Sequence, residues 1–392
     1  MQLSDATLAF GEEVASSLLG LDALYRQESE DSDGLVVLNM DSGSQISPHS
    51  FSDYAEAEEH FKALMAKAGG IAEPDRSVYY EQVCGSSVAF SRWRSTGLDF
   101  GGQLAGFLHV PVAPASEAEL DDLRRDMRSL LNGMGFNGSL SDQAGAWEDR
   151  HTVPPQAVGE VLTDLMSQAW DRTAERVIDF PAPKSDGMQV KTVSGVAFNA
   201  RCNYLGRTVE INTDPTLTQP GLKHLAVHEG YPGHYLQFKL RETFHEKGLA
   251  PADGLLSVVN TASSSVFEGI ADTGLAMIDW DTSDDDRLQG LMTRYRAAIG
   301  TVAAWQLHHE GRDVGSVTDQ LRSNALTGGE GWVLNRMGFI EAPSRAVLIW
   351  SYWWGEAVVA PAWDKAAATD RRSFVDFLYG RMHSNQSVGM FN

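Results

Sequence analysis

Apolar residues recur at three-and-four spacing along most of the chain. Val158, Val161, Leu162, Leu165, Met166, Ala169 and Trp170 form one stripe with charges opposite, behind a Pro154-Pro155 pair suited to a helix start. Leu120, Leu123, Met127, Leu130 and Leu131 repeat the pattern over 117–131, and the segment 370–382 does so near the end of the chain. Strand signals are few. The segment 207–214 alternates Val209 and Ile211 with polar neighbours and stops at Asp214-Pro215. A second, weaker strand candidate covers 102–112. The pattern predicts a mainly-α protein without internal repeats. It has an N-terminal, mostly helical region over 1–150, with loop-like breaks at 30–48 and 132–145. A helical region over 151–392 follows, and the two are expected either as separate regions or as one domain.

Composition narrows the classes of partner. The 392 residues are 43% apolar, enough for a large core. Lys and Arg number 31 against 53 Asp and Glu, a formal charge of −22. No basic tract interrupts this acidity, so neither nucleic acid nor an anionic membrane surface is an expected partner. The longest apolar run, 346–355, is far short of the ~20 residues a membrane span requires. The first twenty residues have no basic leader ahead of their apolar positions, so a soluble, cytoplasmic protein is expected. Cys84 and Cys202 are the only cysteines, which fits a reducing compartment and leaves too few thiols for a Cys-based zinc site.

The candidate chemistry lies in Leu-Ala-Val-His-Glu-Gly-Tyr-Pro-Gly-His, residues 225–234. His228 and Glu229 supply the first half of a His-Glu-x-x-His zinc motif, in which two histidines one turn apart hold the metal and the glutamate acts as base. The second histidine, His234, falls six residues on and would point ~120° away on an ideal helix. Pro232 withholds the N–H that the carbonyl of His228 would accept, and Gly233 relaxes the backbone. A local widening or break at 231–233 is therefore expected to return His234 to the metal. His224, four residues before His228, is the competing ligand. Glu268, in Phe-Glu-Gly-Ile-Ala-Asp, is the expected third ligand, with Gly269 letting helices approach.

These two strings resemble the signature of the DUF885 family, His-Glu-x-x-Pro-Gly-His followed by a downstream Glu-Gly, over roughly residues 200–360. The resemblance implies a zincin-like, mainly helical fold related to Taq-type carboxypeptidases and gluzincin metallopeptidases, with a small antiparallel sheet beside the metal-binding helix. It further implies His228, His234 and Glu268 as metal ligands and Glu229 as the base. The strand at 207–214 would lie by the cleft and could pair with an extended peptide. The chain departs from many family members at Tyr235, Ile270 and Thr273. The cofactor expected is one zinc ion, or another divalent metal that His and Glu ligands also serve.

Tyr352 and His308 are candidate catalytic groups, as donors that could stabilise an oxyanion. Helical phase lets only one of His308 and His309 face inward, and His308 aligns better with the family. Arg294 and Arg296 are expected in helix-surface salt bridges, with a substrate carboxylate as the alternative partner. The Gly-rich run 327–332 is expected to be a turn. The acidic run 279–286 lacks the glycine and terminal glutamate of a calcium loop and is expected as a solvated turn. The leading functional expectation is a zinc-dependent metallopeptidase acting on short peptides; carboxypeptidase-like action is a further step that rests only on the fold the resemblance implies. Non-peptide amide or ester hydrolysis, and a non-catalytic metal-binding helical protein, are the alternatives.

Overall fold

A computed structural model describes residues 3–28, 34–41, 43, 45–179, 187–196, 198–367 and 370–391. Helices dominate. The strands are β1 (Val36–Asn39), β2 (Gln189–Val193), β3 (Ala200–Asn203), β4 (Thr208–Asn212) and β5 (Leu256–Val258). The chain forms two compact units, each assembled from separated stretches: 1–112, 236–269 and 354–392 in one, 113–235 and 270–353 in the other. This interleaved path differs from the single break near residue 150 drawn from the sequence. The helices that begin at His234 and Ser264 and the helix Ile349–Ala367 run through the points where the division falls.

The first unit packs the helices Asp5–Glu28, Tyr54–Ala68 and Pro74–Ser95. Its strand pair, β1 against β5, is antiparallel. β1 lies within a segment whose sequence reads as a loop. It is held by Asp22, whose carboxylate accepts the N–H groups of Leu35 and Val36 at 2.7 and 3.0 Å. The weak strand expected over 102–112 is instead helical, a short helix Phe100–Gln103 running into a π-helical turn Leu104–Leu108. Asp99 caps its start by accepting from Gly102 N–H at 2.7 Å. Leu104, Phe107 and Leu108 are buried on one face, so the three-and-four spacing outweighed the alternation.

The second unit contains the helices Glu117–Gly133 and Val158–Arg176 that the apolar stripes predicted. Leu120, Leu123, Met127 and Leu131 are buried in the first, and Ser116 and Glu119 close a reciprocal capping box at its start. The three-stranded sheet has the order β2–β4–β3. β3 runs antiparallel to β4, but β2 runs parallel to it, so the sheet is mixed rather than antiparallel. Val209 and Ile211 are fully buried on β4. Because β4 is central, its backbone groups are bonded on both sides, and it cannot add a peptide as a further strand. The expectation for 207–214 is corrected on that ground.

Two expected turns are also refined. The run 327–332 does turn, with Gly328 and Gly329 at φ +93° and +62°, before the helix Gly329–Glu341. The acidic run 279–286 is not simply solvated. Its Asp285 accepts from the Trp147 indole at 2.8 Å, and Asp286 pairs with Lys223 at 2.7 Å while completing the capping box of the helix Asp284–His308.

Candidate metal centre

The histidine segment begins as an ordinary helix, Gln219–Leu225, capped by Thr218 and opened by Pro220. It then widens into a π-helical turn over Ala226–Gly230 and breaks. Tyr231 is extended, the Tyr231–Pro232 peptide is cis, and a new helix starts at His234. Gly233 closes the break. Its N–H donates to the carbonyl of Val227 at 3.0 Å, and a Cβ there would stand 1.9 Å from the carbonyl oxygen of His228. Only glycine fits at that approach. The widening and break expected at 231–233 are thus present, with the widening beginning five residues earlier. The rings of His228 and His234 come to 4.6 Å between centroids, edge to face. His228, Glu229 and His234 are all buried.

The helix Ser264–Met277 carries Glu268 and, one turn later, Asp272. Gly274 lets this helix sit against the π-turn, since a Cβ there would meet the Val227 side chain at 2.5 Å. Asp272 consequently reaches the histidines: His228 Nδ1 lies 2.8 Å from its Oδ1, and His224 Nε2 lies 3.5 Å from the same oxygen. Burial alone would raise the Asp272 pKa, but the two histidines hold it well below the usual carboxylate range. Gly269, expected to admit a neighbouring helix, does so for the helix Ile349–Ala367. Its Cβ position lies 2.2 Å from the carbonyl oxygen of Gly355.

Two groups of side chains have the donor set of a metal site. In one, His228, His234 and Glu268 each offer a ligand atom, all within 4.8 Å of one another; His224, His228 and Asp272 form the other. Ligands at 2.0–2.2 Å from a single zinc are at most about 4.4 Å apart. In the second group His228 Nδ1 and Asp272 Oδ1 are already hydrogen-bonded to each other at 2.8 Å. That bond instead matches the carboxylate that orients a zinc-bound imidazole from behind, directing Nε2 to the metal. Asp272 was not singled out from the sequence. Its one signal was a second carboxylate four residues after Glu268 on the same helix face.

His228, Glu229, Asp272 and Tyr352 all line a cavity of about 210 Å³. Phe198, Asn199 and Ala200, at the start of the edge strand β3, form part of its wall. His308 does not line it. Its Nε2 lies 2.6 Å from the Ile340 carbonyl oxygen, a contact that holds two helices together. Arg296 also departs from expectation, because it is half-buried in the cavity wall and donates to Thr327 Oγ1 at 2.7 Å instead of pairing on the helix surface. Arg294 lies over the Trp353 ring at 4.3 Å. Cys84 and Cys202 are both free thiols; burial, and the neighbouring Glu229 charge, push the Cys202 pKa well up.

The sequence matches no family model and no curated protein. The fold is similar to the crystal structure of a "putative lipoprotein" from Colwellia psychrerythraea, with a TM-score of 0.56 and 15% identity over 86% of this chain. This chain spans 59% of the length of that protein. A second protein so described, of unknown function, from Shewanella oneidensis, matches with a TM-score of 0.50 and 11% identity, over 86% of this chain and 74% of its own. At these identities the likeness concerns the fold alone. Among the described residues no helix is long and apolar enough to cross a membrane.

Proposed function

We propose that this chain is a zinc-dependent hydrolase of short peptides, with a zincin-like centre of the kind its resemblance to the DUF885 family and the Taq-type carboxypeptidases implies. The observation that carries this reading is the juxtaposition of His228 and His234 across a broken helix, backed by the Asp272–His228 bond, with Glu229 lining the cavity that His228 also lines. His228, His234 and Glu268 would hold the ion. When bound, zinc would act as a Lewis acid, lowering the pKa of water to about 7 and polarising the scissile carbonyl. Glu229, adjacent to a ligand in sequence and buried at the cavity wall, takes the proton of the attacking water and passes it to the leaving amine. A merely structural metal site has no use for such a base. The Tyr352 hydroxyl supplies a hydrogen bond to the developing oxyanion. His308, whose Nε2 contacts the Ile340 carbonyl oxygen, is assigned no part in these steps.

Metal analysis and peptide turnover of Glu229→Gln test the reading together. Zinc at about one per chain should be retained while turnover falls by about 10²- to 10⁴-fold. Equal turnover in the variant, or the lack of any bound zinc after its addition to the wild-type protein, would overturn it.

A further inference from the structure

His224 stands outside the ligand set His228, His234 and Glu268, yet it lines the same cavity as His228. It belongs to the last turn of the helix Gln219–Leu225, which is firmly held. Thr218 caps that helix by accepting the Gly221 N–H at 3.1 Å, and the neighbouring Lys223 is fixed by Asp286 at 2.7 Å and lies over the Trp280 ring at 4.6 Å. His228 has a different footing. It sits in the π-helical turn Ala226–Gly230, where the regular ladder widens and then breaks at Tyr231. The direction of its ring is therefore left to its side-chain partners.

Asp272 is the partner that the two imidazoles share. Its Oδ1 lies 2.8 Å from His228 Nδ1 and 3.5 Å from His224 Nε2, and the two rings stand 5.7 Å apart, tilted by 39°. Among the described residues, these two histidines are the side chains that hydrogen-bond or ion-pair with this carboxylate. All three side chains are only 9% to 12% exposed. Sharing one oxygen takes a little from the bond to His228. Losing His224 takes away one of the two groups that keep a buried carboxylate in place. The second effect is the larger, because an uncompensated buried charge costs far more than a weakened hydrogen bond.

We propose that His224 is a positioning residue for the metal centre. Its Nε2–H holds the Asp272 carboxylate in place. Asp272 in turn accepts the Nδ1–H of His228 and leaves Nε2 of that ring, with its lone pair, for the metal. His224 thereby selects the tautomer and the direction of a ligand four residues further along the chain. Its effect on metal binding rests on the zinc reading above, whereas the choice of the His228 tautomer is a property of the metal-free protein and does not. Because His224, His228 and Asp272 also have the donor set of a metal site, a ligand role for His224 is the rival outcome.

Zinc affinity is measured by chelator competition on the full chain for wild type, His224→Leu, His224→Gln, Asp272→Ala and the double variant His224→Leu, Asp272→Ala. His224→Leu should weaken zinc by about 10-fold while about one zinc per chain still binds at saturation. His224→Gln, whose amide N–H takes the place of Nε2–H, should recover most of that loss. On the Asp272→Ala background His224→Leu should have no further effect, because its influence passes through the carboxylate. An unchanged affinity in His224→Leu, a Gln variant as weak as Leu, or equal losses on both backgrounds overturns the proposal. In the cobalt-substituted protein His224→Leu should keep the visible bands of wild type, and altered bands would make His224 a ligand instead. Nitrogen-15 spectra of histidine-labelled, metal-free protein give a readout without zinc. His228 should carry its proton on Nδ1 in wild type and in His224→Gln, and show a mixture of tautomers in His224→Leu. A tautomer that ignores His224→Leu overturns the positioning role. If wild type binds no zinc, the zinc reading falls, and the tautomer still decides whether His224 positions His228.

Discussion

The Nδ1 of His228 and the Oδ1 of Asp272 stand 2.8 Å apart, a hydrogen bond joining the π-helical turn to the helix that carries Glu268. A carboxylate in this position fixes the ring of a metal-binding histidine and raises its basicity. Asp272→Asn keeps the shape and one acceptor oxygen but removes the charge. Zinc affinity, measured by competition with a chromophoric chelator, should fall by about 10- to 100-fold. An unchanged affinity would show that Asp272 does not position the ligand.

Gly233 and Gly290 make a contrasting pair. Alanine at 233 would place its Cβ 1.9 Å from the His228 carbonyl oxygen, so the break in the helix must open. A loss of about 1–3 kcal/mol is expected in urea unfolding, together with weaker zinc binding. At Gly290, exposed within the helix Asp284–His308, an added Cβ meets nothing within 4 Å. Gly290→Ala should therefore stabilise by up to about 1 kcal/mol. Equal effects at both sites would mean that the break tolerates a side chain.

Tyr352 and His308 were both expected near the chemistry, and the structure separates them. Tyr352→Phe should lower kcat by about 10²- to 10³-fold while leaving bound zinc unchanged, because it removes an oxyanion donor but keeps the ring beside Arg336. His308→Gln should lower kcat much less, since that ring is engaged with the Ile340 carbonyl. The reverse order in steady-state assays would return the catalytic role to His308.

His383 gives the first unit a pH dependence. It is buried, its Nε2 lies 2.8 Å from the Phe377 carbonyl oxygen, and its Nδ1 lies 3.4 Å from Ser387 Oγ. Burial, with the charges of Arg76, Arg381 and Arg241, pushes its pKa well below the ordinary value. An unfolded histidine titrates near about 6.5, so below that pH the unfolded chain binds a proton that the folded chain refuses. This contribution to stability is complete above about pH 6.5 and declines as the pH falls, by at most about 1.4 kcal/mol per unit. Denaturation midpoints at pH 7.5 and 5.5 should differ less in His383→Gln than in wild type. Equal differences would assign the acid sensitivity to other groups.

Much of the fold was legible because helical burial is periodic in sequence. The stripes at 117–131 and 158–170 became helices with those residues buried except for the half-buried Leu130 and Val161, and the alternating Val209 and Ile211 became fully buried positions of strand β4. The failures have a common cause. β1 is short and lies where the sequence reads as a loop, and it is ordered by the distant Asp22. In 102–112 alternation and helical spacing coexist, and close packing decided between them: a Cβ on Gly106 would stand 2.6 Å from that of Ala89. The position of β4 at the centre of its sheet, which bars it from binding a peptide, depends on two partner strands that no local window contains.

For the site, the order His228-Glu229 with Pro232-Gly233-His234 was enough to indicate metal chemistry and a break in the helix, because proline and glycine act on the backbone where they stand. Their ligand roles remain proposals. Asp272 behind His228, and the contact of His224 with the same carboxylate, were decided only by the tertiary structure. Carboxylates and imidazoles interact through space, and a helix shows nothing in its own sequence of which charged side chain will be turned toward a shared cavity and which toward water.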